Sequence, residues 1–264
     1  MKNDYGVQIF QDIECQKNNI YVVLAELRKV VPQHVHTQGH ILVVLEGVAT
    51  MNVEHSAYFI PNGYFVWIPS QVSHRIAFEG EKVKVLNIYY PPAYSTREFY
   101  QEVGMYPIPS LLYHTVELFQ ERSESFQADT WRYELLSTIH RTLPHVIKRQ
   151  KYQLRLPTSD HPVIQKIVEA IHRQYQDPIT TQSISEEVGL SVRTLSRYLR
   201  SELHVSFVQY VRTYRIIMAI NKMVKADDSI TNIAYSVGYE SLTAFSNSFY
   251  KETGQRPSLF LKQE

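Results

Sequence analysis

Two stretches near the C-terminal end of this chain follow one pattern. SISEEVGLSVRTLSRYLR runs from Ser183 to Arg200, and ITNIAYSVGYESLTAFSNSFYK from Ile230 to Lys251. Aligned on Gly189 and Gly238, Ile184 meets Ile233, Ser185 meets Ala234 and Val188 meets Val237. One extra residue after the second glycine then brings Ser191 onto Ser241, Leu195 onto Phe245 and Leu199 onto Phe249. Thr180 and Ser229 stand where each first helix needs an N-cap, whose hydroxyl accepts an otherwise unpaired backbone N–H. A short helix, a turn at Val-Gly and a second, Ser-capped helix make a helix-turn-helix. The turn requires positive φ, which glycine tolerates without strain. A single copy would suit an ordinary helical hairpin packed for stability. Two copies with matching caps, turns and core positions point instead to a pair of helices that can each enter a major groove.

The outward faces of the two second helices differ. With Leu195 and Leu199 turned inward, Arg193, Ser196, Arg197 and Arg200 share the other side of the first. Arginine can bond guanine O6 and N7 with its two-pronged guanidinium. With Phe245 and Phe249 inward, Thr243, Ser246, Asn247 and Tyr250 point out on the second, and asparagine can pair with adenine N6 and N7. Between the units, residues 206–224 are apolar along one side and lack Gly and Pro. At about 1.5 Å per residue such a helix spans roughly 28 Å. That length suits a spacer holding two recognition helices about one DNA turn, roughly 34 Å, apart.

Bulk charge does not report a nucleic-acid partner. Residues 158–264 hold 12 Lys+Arg against 11 Asp+Glu, so any DNA binding rests on where the cations are placed. The first ninety or so residues read differently, with short runs rich in Val, Ile, Tyr and Phe (YVVLAEL, HILVVLEGVATMNV, YFVWIP, VKVLNIYY). They are broken by Pro32, Gly47, Asn62-Gly63, Pro69 and Glu79-Gly80, as in a β-sandwich or barrel. From about Thr96 the spacing turns helical. Helices are expected near 110–122 and 129–149, the second kinked or interrupted at Pro144. Their stripes (Leu112, Val116 and Phe119; Leu135, Ile139 and Leu143) predict a dimer face. A non-periodic linker is expected at 151–160, and Asp160 as the N-cap of the helix after Pro162. The architecture read here is two-domain: a β-barrel over about 1–92 with helices over about 96–150, ending at residue 157, then an all-α double helix-turn-helix over 158–264. The single cysteine, Cys15, and the lack of an apolar leader or spanning segment fit a reducing cytoplasm.

Residues from about 160 to 262 resemble the double helix-turn-helix domain of the AraC/XylS family of bacterial transcription regulators. The resemblance is carried by Val188-Gly189-Leu190-Ser191, Arg193, Leu195 and Arg197 in the first unit. In the second it is carried by Ile233-Ala234, Val237-Gly238-Tyr239, Phe245, Phe249, Gly254 and Pro257. It implies that base contacts fall on Arg193, Ser196 and Arg197, and on Thr243, Ser246 and Asn247; Arg200, nearer the helix end, is expected to act mainly through phosphate. Three positions depart from the family pattern: Asn247 stands where arginine is common, His204 where a glycine usually ends the first recognition helix, and Ser185 where Ala is usual. The N-terminal part resembles the family's cupin-type sensor domain, through His34, His36, Gly47, Gly63, Pro69 and His74. There His40 replaces the usual Glu or Gln, Gln71 a Gly, and Phe78 an Asn.

His34, His36 and His40 share parity along an extended chain, and His74 would come from a neighbouring strand. Four converging imidazoles suit zinc or another divalent metal, although the resemblance requires no cofactor. The alternative is a set of polar pocket residues for a small effector, with Tyr58, Tyr64, Trp67 and Tyr89 as walls. The function expected is a sequence-specific, non-enzymatic transcription regulator controlled by a small molecule or metal in the cupin domain. Its expected partners are double-stranded promoter DNA, an effector, a second copy of the chain and, as a candidate, RNA polymerase, with no membrane. The rival is a metal-dependent cupin enzyme with an appended helical domain, for which duplicated recognition helices would have no use.

Overall fold

The computed structural model describes residue 13 and residues 18–78, 82–147, 154–225 and 228–260. Cys15, the Glu79-Gly80 turn and residues 148–153 lie outside the described residues. The chain forms two compact units: residues 1–54 with 60–151, and residues 55–59 with 152–264.

The first unit is built on two antiparallel sheets. Its strands are β1 (Ile20–Leu27), β2 (Val31–His34), β3 (Gly39–Glu46), β4 (Val48–Val53), the end of β5 (Ser56–Pro61), whose residues 56–59 belong to the second unit, β6 (Tyr64–Ile68), β7 (His74–Phe78), β8 (Val83–Tyr90), β9 (Gly104–Pro107) and β10 (Glu124–Phe126). One sheet runs β10-β1-β8-β3-β6-β9, and the other includes β4, β7 and β2 in that order. The first sheet is apolar on both faces. Ile20, Val22, Ile41, Val43, Phe65, Trp67, Leu86, Ile88 and Tyr90 pack against two helices, α1 (Ser110–Glu117) and α2 (Trp131–Val146). Their alternates Tyr21, Val23 and Tyr89 form a second cluster with Ile13 on the opposite face. That alternation is the period-2 geometry of a strand, and burial on both faces explains why these strands read as unbroken apolar runs.

The helices correct two expectations. Leu112, Val116, Phe119, Ile139 and Leu143 are buried in the cluster against the first sheet, and Leu135 packs on it. The stripes expected to form a dimer face are therefore covered by the protein's own sheet. Pro144 does not interrupt α2 but sits in its last turn. Proline has no N–H to bond the carbonyl of residue 140. That carbonyl accepts instead from the Tyr100 hydroxyl, so nothing buried is left unpaired there.

The second unit begins where residues 56–58 of β5 pair with β11 (Arg155–Pro157), a short strand in the stretch expected to be linker. Among the described residues seven helices follow: α3 (Pro162–Gln174), α4 (Thr181–Glu187), α5 (Val192–Glu202), α6 (Phe207–Lys225), α7 (Ile230–Ser236), α8 (Leu242–Thr253) and α9 (Pro257–Phe260). The N-cap of α3 is His161 rather than Asp160; its ring nitrogen accepts from the Val163 N–H. The four caps of the repeat form as expected. Thr180, Ser191, Ser229 and Ser241 each accept from the backbone N–H three residues on. Among the described residues no helix is long and apolar enough to cross a membrane.

Candidate nucleic-acid interface and histidine cluster

The two helix-turn-helix units are α4–α5 and α7–α8. In each, the small residue on the first helix (Ser185 or Ala234) is buried, as are the two inward residues of the second (Leu195 and Leu199, or Phe245 and Phe249). Outward, Arg193, Arg197 and Arg200 are exposed on α5 and Ser196 is half-buried; Thr243 and Asn247 are exposed on α8 and Ser246 is half-buried. All seven expected contact residues thus lie away from the core. Arg256, which the sequence did not single out, joins them. Its Nη1 lies 3.4 Å from Asn247 Oδ1, and its guanidinium carbon 5.2 Å from the Tyr250 ring centroid.

The long helix α6 fixes how the second unit is held. Arg212 Nε donates to Glu252 Oε1 at 2.6 Å and Thr213 Oγ1 to Glu252 Oε2 at 3.0 Å, tying α6 to α8. Arg215 donates to the carbonyls of Tyr175 (2.8 Å) and Asp177 (2.7 Å), just past α3. The turn of the second unit closes against these same groups. Gly238 has φ +87°, and a Cβ there would meet Arg215 Nη2 and the Tyr175 carbonyl at 2.7 Å. Glycine is needed at this turn for both conformation and room. The first unit shows the reverse case at its C-terminal end. His204 adopts φ +56°, the left-handed conformation that Gly254 adopts at +69° after α8. The departure noted in the sequence is thus a side chain in a conformation that suits glycine.

In the first unit of the chain, the histidines come together, but not as parity predicted. β2 ends at His34, His36 lies in the loop after it, and His40 belongs to β3 in the other sheet. Convergence comes from register and from the facing sheets. His34 is the cross-strand partner of His74, and their rings lie 4.2 Å apart. His36 is 5.2 Å from His74 and 4.9 Å from His40, which stacks on Tyr89 at 4.6 Å. The loop is held where the His36 carbonyl accepts from the Gln71 N–H. Gln71 itself has φ +62°, at the position where the cupin pattern has glycine. Of the aromatic walls expected, Tyr89 joins the cluster. Trp67 packs on the helix-covered face, its Nε1 donating to the Tyr100 carbonyl, and Tyr58 pairs with Arg155 in the second unit.

Three of the rings have their tautomer fixed. Nδ1 of His34, His36 and His74 lies 2.8, 2.6 and 2.8 Å from the carbonyls of Pro32, Gln38 and Val72. A carbonyl only accepts, so Nδ1 carries the proton and Nε2 keeps its lone pair. Burial lowers the pKa of His34; burial and then repulsion from the neighbouring histidines holds His40 well below the ordinary value. His74 is pushed down to about 3, chiefly by burial. These rings are neutral at pH 7, the state a metal ligand requires. Ligand atoms of His34, His36 and His74 all lie within 4.8 Å of one another. A tetrahedral zinc site with Zn–N of about 2.1 Å has nitrogen atoms about 3.4 Å apart, so the rings would draw together around an ion. The buried Nδ1 of His40 has no hydrogen-bond partner among the described residues.

A helix-turn-helix domain model matches residues 184–263, and a cupin domain model matches residues 21–89. Over 233 residues the chain is 28% identical to HTH-type transcriptional regulator NimR of Escherichia coli (strain K12), covering 87% of this chain and 82% of that protein. It is 26% identical to HTH-type transcriptional activator RhaS of Pectobacterium carotovorum subsp. carotovorum (strain PC1) over 111 residues, 42% of this chain and 40% of RhaS. Among solved structures, ToxT from Vibrio cholerae aligns over 93% of this chain and 98% of its own, with 15% identity and a TM-score of 0.39. With a helix-turn-helix domain, a cupin domain and relatives that are themselves named transcriptional regulators, the chain is similar to AraC-family regulators and is a DNA-binding transcription regulator rather than an enzyme.

Proposed function

We propose that this regulator binds promoter DNA sequence-specifically through α5 and α8, and that a ligand held at the histidine cluster controls it. Arg193, Ser196, Arg197 and Arg200 read and grip one major groove; Thr243, Ser246 and Asn247 lie in the next. The observation that carries the regulatory half is the set of three Nδ1–H groups donating to backbone carbonyls. Each such bond aims an Nε2 lone pair away from the backbone, the arrangement by which proteins orient histidine ligands. Neutral nitrogen donors without a carboxylate among them fit a borderline cation such as zinc better than calcium or magnesium. His34, His36 and His74 would hold it, with His40 as a fourth. A bound ion would supply a positive charge and a fixed geometry linking β2, the following loop and β7. Elemental analysis of tag-free protein purified without chelator is expected to show about one zinc-class ion per chain, lost in His36→Ala. A metal-free wild type that no divalent cation stabilises against heat would refute the metal and leave a small polar effector.

The regulator is also proposed to act in the cytoplasm and as a homodimer. Support for the dimer is narrower than the apolar stripes suggested: among the described residues, the large apolar groups left exposed on or beside those helices are Leu111, Tyr113, Leu118, Trp131 and Val146. Sedimentation of the full chain at micromolar concentration tests it: a dimer is expected, and a monomer would refute it.

A further inference from the structure

The two recognition helices are unequal in charge. Arg193, Arg197 and Arg200 stand on the outer face of α5, whereas the matching positions of α8 hold Thr243, Asn247 and Tyr250. Yet a guanidinium does lie on that face of α8, and it comes from outside the helix. Gly254, in the left-handed conformation, turns the chain back after α8, and Arg256 follows it immediately before Pro257 opens α9. Arg256 is exposed, bonded to Asn247 and placed over the Tyr250 ring. Asn247 and Tyr250 are the positions where α5 has Arg197 and Arg200. The charge absent from the helix is therefore returned to the same place by the turn behind it.

We propose that Arg256 contacts DNA and, together with Asn247, sets the base preference of the second recognition helix as guanine. The contact chemistry gives the direction. Arginine has donors only, so it must face the oxygen of the Asn247 amide, which leaves the Nδ2 donors turned outward. The pair then offers amide and guanidinium N–H groups side by side. Guanine presents two acceptors in the major groove, N7 and O6, whereas adenine presents one acceptor and a donor, N6–H₂. The adenine pairing expected of Asn247 alone needs its oxygen, which Arg256 engages. Stacking on Tyr250 limits the freedom of the guanidinium and lowers the cost of ordering it on DNA.

This inference rests on the recognition-helix reading, and one experiment separates the two. The full chain and its Arg256→Lys and Asn247→Ala variants are each used to select from a random duplex library, and the enriched sites are then titrated. Arg256→Lys keeps the charge and loses the fork; Asn247 is exposed, so its substitution leaves the fold intact. The wild type is expected to select a guanine within the part of the site read by α8. Both variants should lose that preference by about tenfold at that one position, with the α5 part of the site unchanged. Unchanged selection by both variants, uniform weakening on all sequences, or a wild-type preference for adenine there would each overturn the proposal. If Arg256→Lys melts below the wild type, Asn247→Ala alone decides. Failure of the wild type to enrich any sequence would overturn the recognition-helix reading, and this inference with it.

Discussion

The two helix-turn-helix units share a scaffold and differ in what they show the solvent. From Ser191 to Arg200 and from Ser241 to Tyr250 the order of buried, half-buried and exposed positions is the same except at Thr194 and Ala244. Caps, glycine turns and the left-handed residue closing the second helix recur in both. The positions that touch the core cannot vary without loss of packing. Those that face outward are free to do so, and there Arg193, Arg197 and Arg200 become Thr243, Asn247 and Tyr250. The second unit carries two additions, the Arg212–Glu252 pair inside and Arg256 outside. Its counterpart carboxylate in the first unit, Glu202, is exposed.

The largest effects should come where the units agree. Phe249→Ala is expected to cost about 3–5 kcal/mol and Leu199→Ala about 2–5 kcal/mol, both through a cavity in a buried site. Denaturant unfolding checks this, and a near-neutral result for either would break the claim of a common core. Next comes a point where they diverge. Arg212→Ala leaves the Glu252 carboxylate, 8% exposed, without its charge partner and should cost roughly 3 kcal/mol. Glu202→Ala should cost close to nothing by the same measurement. On the outward face, Arg197→Ala should weaken specific DNA binding by about 1–3 kcal/mol and relax one base pair, read by gel-shift titration. Arg200→Ala should weaken all sequences alike and reduce the salt slope by about one. The smallest effect is a gain: His204→Gly relieves a left-handed side chain and should stabilise the chain by about 1 kcal/mol.

The duplicated unit was legible because every signal in it is local. Caps, turn glycines and the spacing of Leu195 and Leu199 or Phe245 and Phe249 lie within a few residues of one another. The histidine cluster was legible in membership and not in mechanism. Parity along one strand would require β2 to continue past His34, but the chain turns there, and the rings meet through cross-strand register and facing sheets. The stripes on α1 and α2 could not reveal their partner, since an apolar face packs equally well on a sheet or on another copy. The interruption expected at Pro144 does not occur, and a hydroxyl forty-four residues earlier, on Tyr100, satisfies the carbonyl it frees. Arg256 went unnoticed because no helical period connects it to Asn247. The only hint was Gly254 followed closely by Pro257, which marks a chain reversal.

The central claim is that two helices on one rigid scaffold enter successive major grooves. A hydroxyl-radical footprint of the full chain, on a site selected from random duplex DNA, tests it most directly. Two protected windows on one face of the duplex are expected, centred about 10 base pairs apart. In the Arg197→Ala variant only the window belonging to α5 should fade. A single window, or two windows on opposite faces of the DNA, would contradict the account.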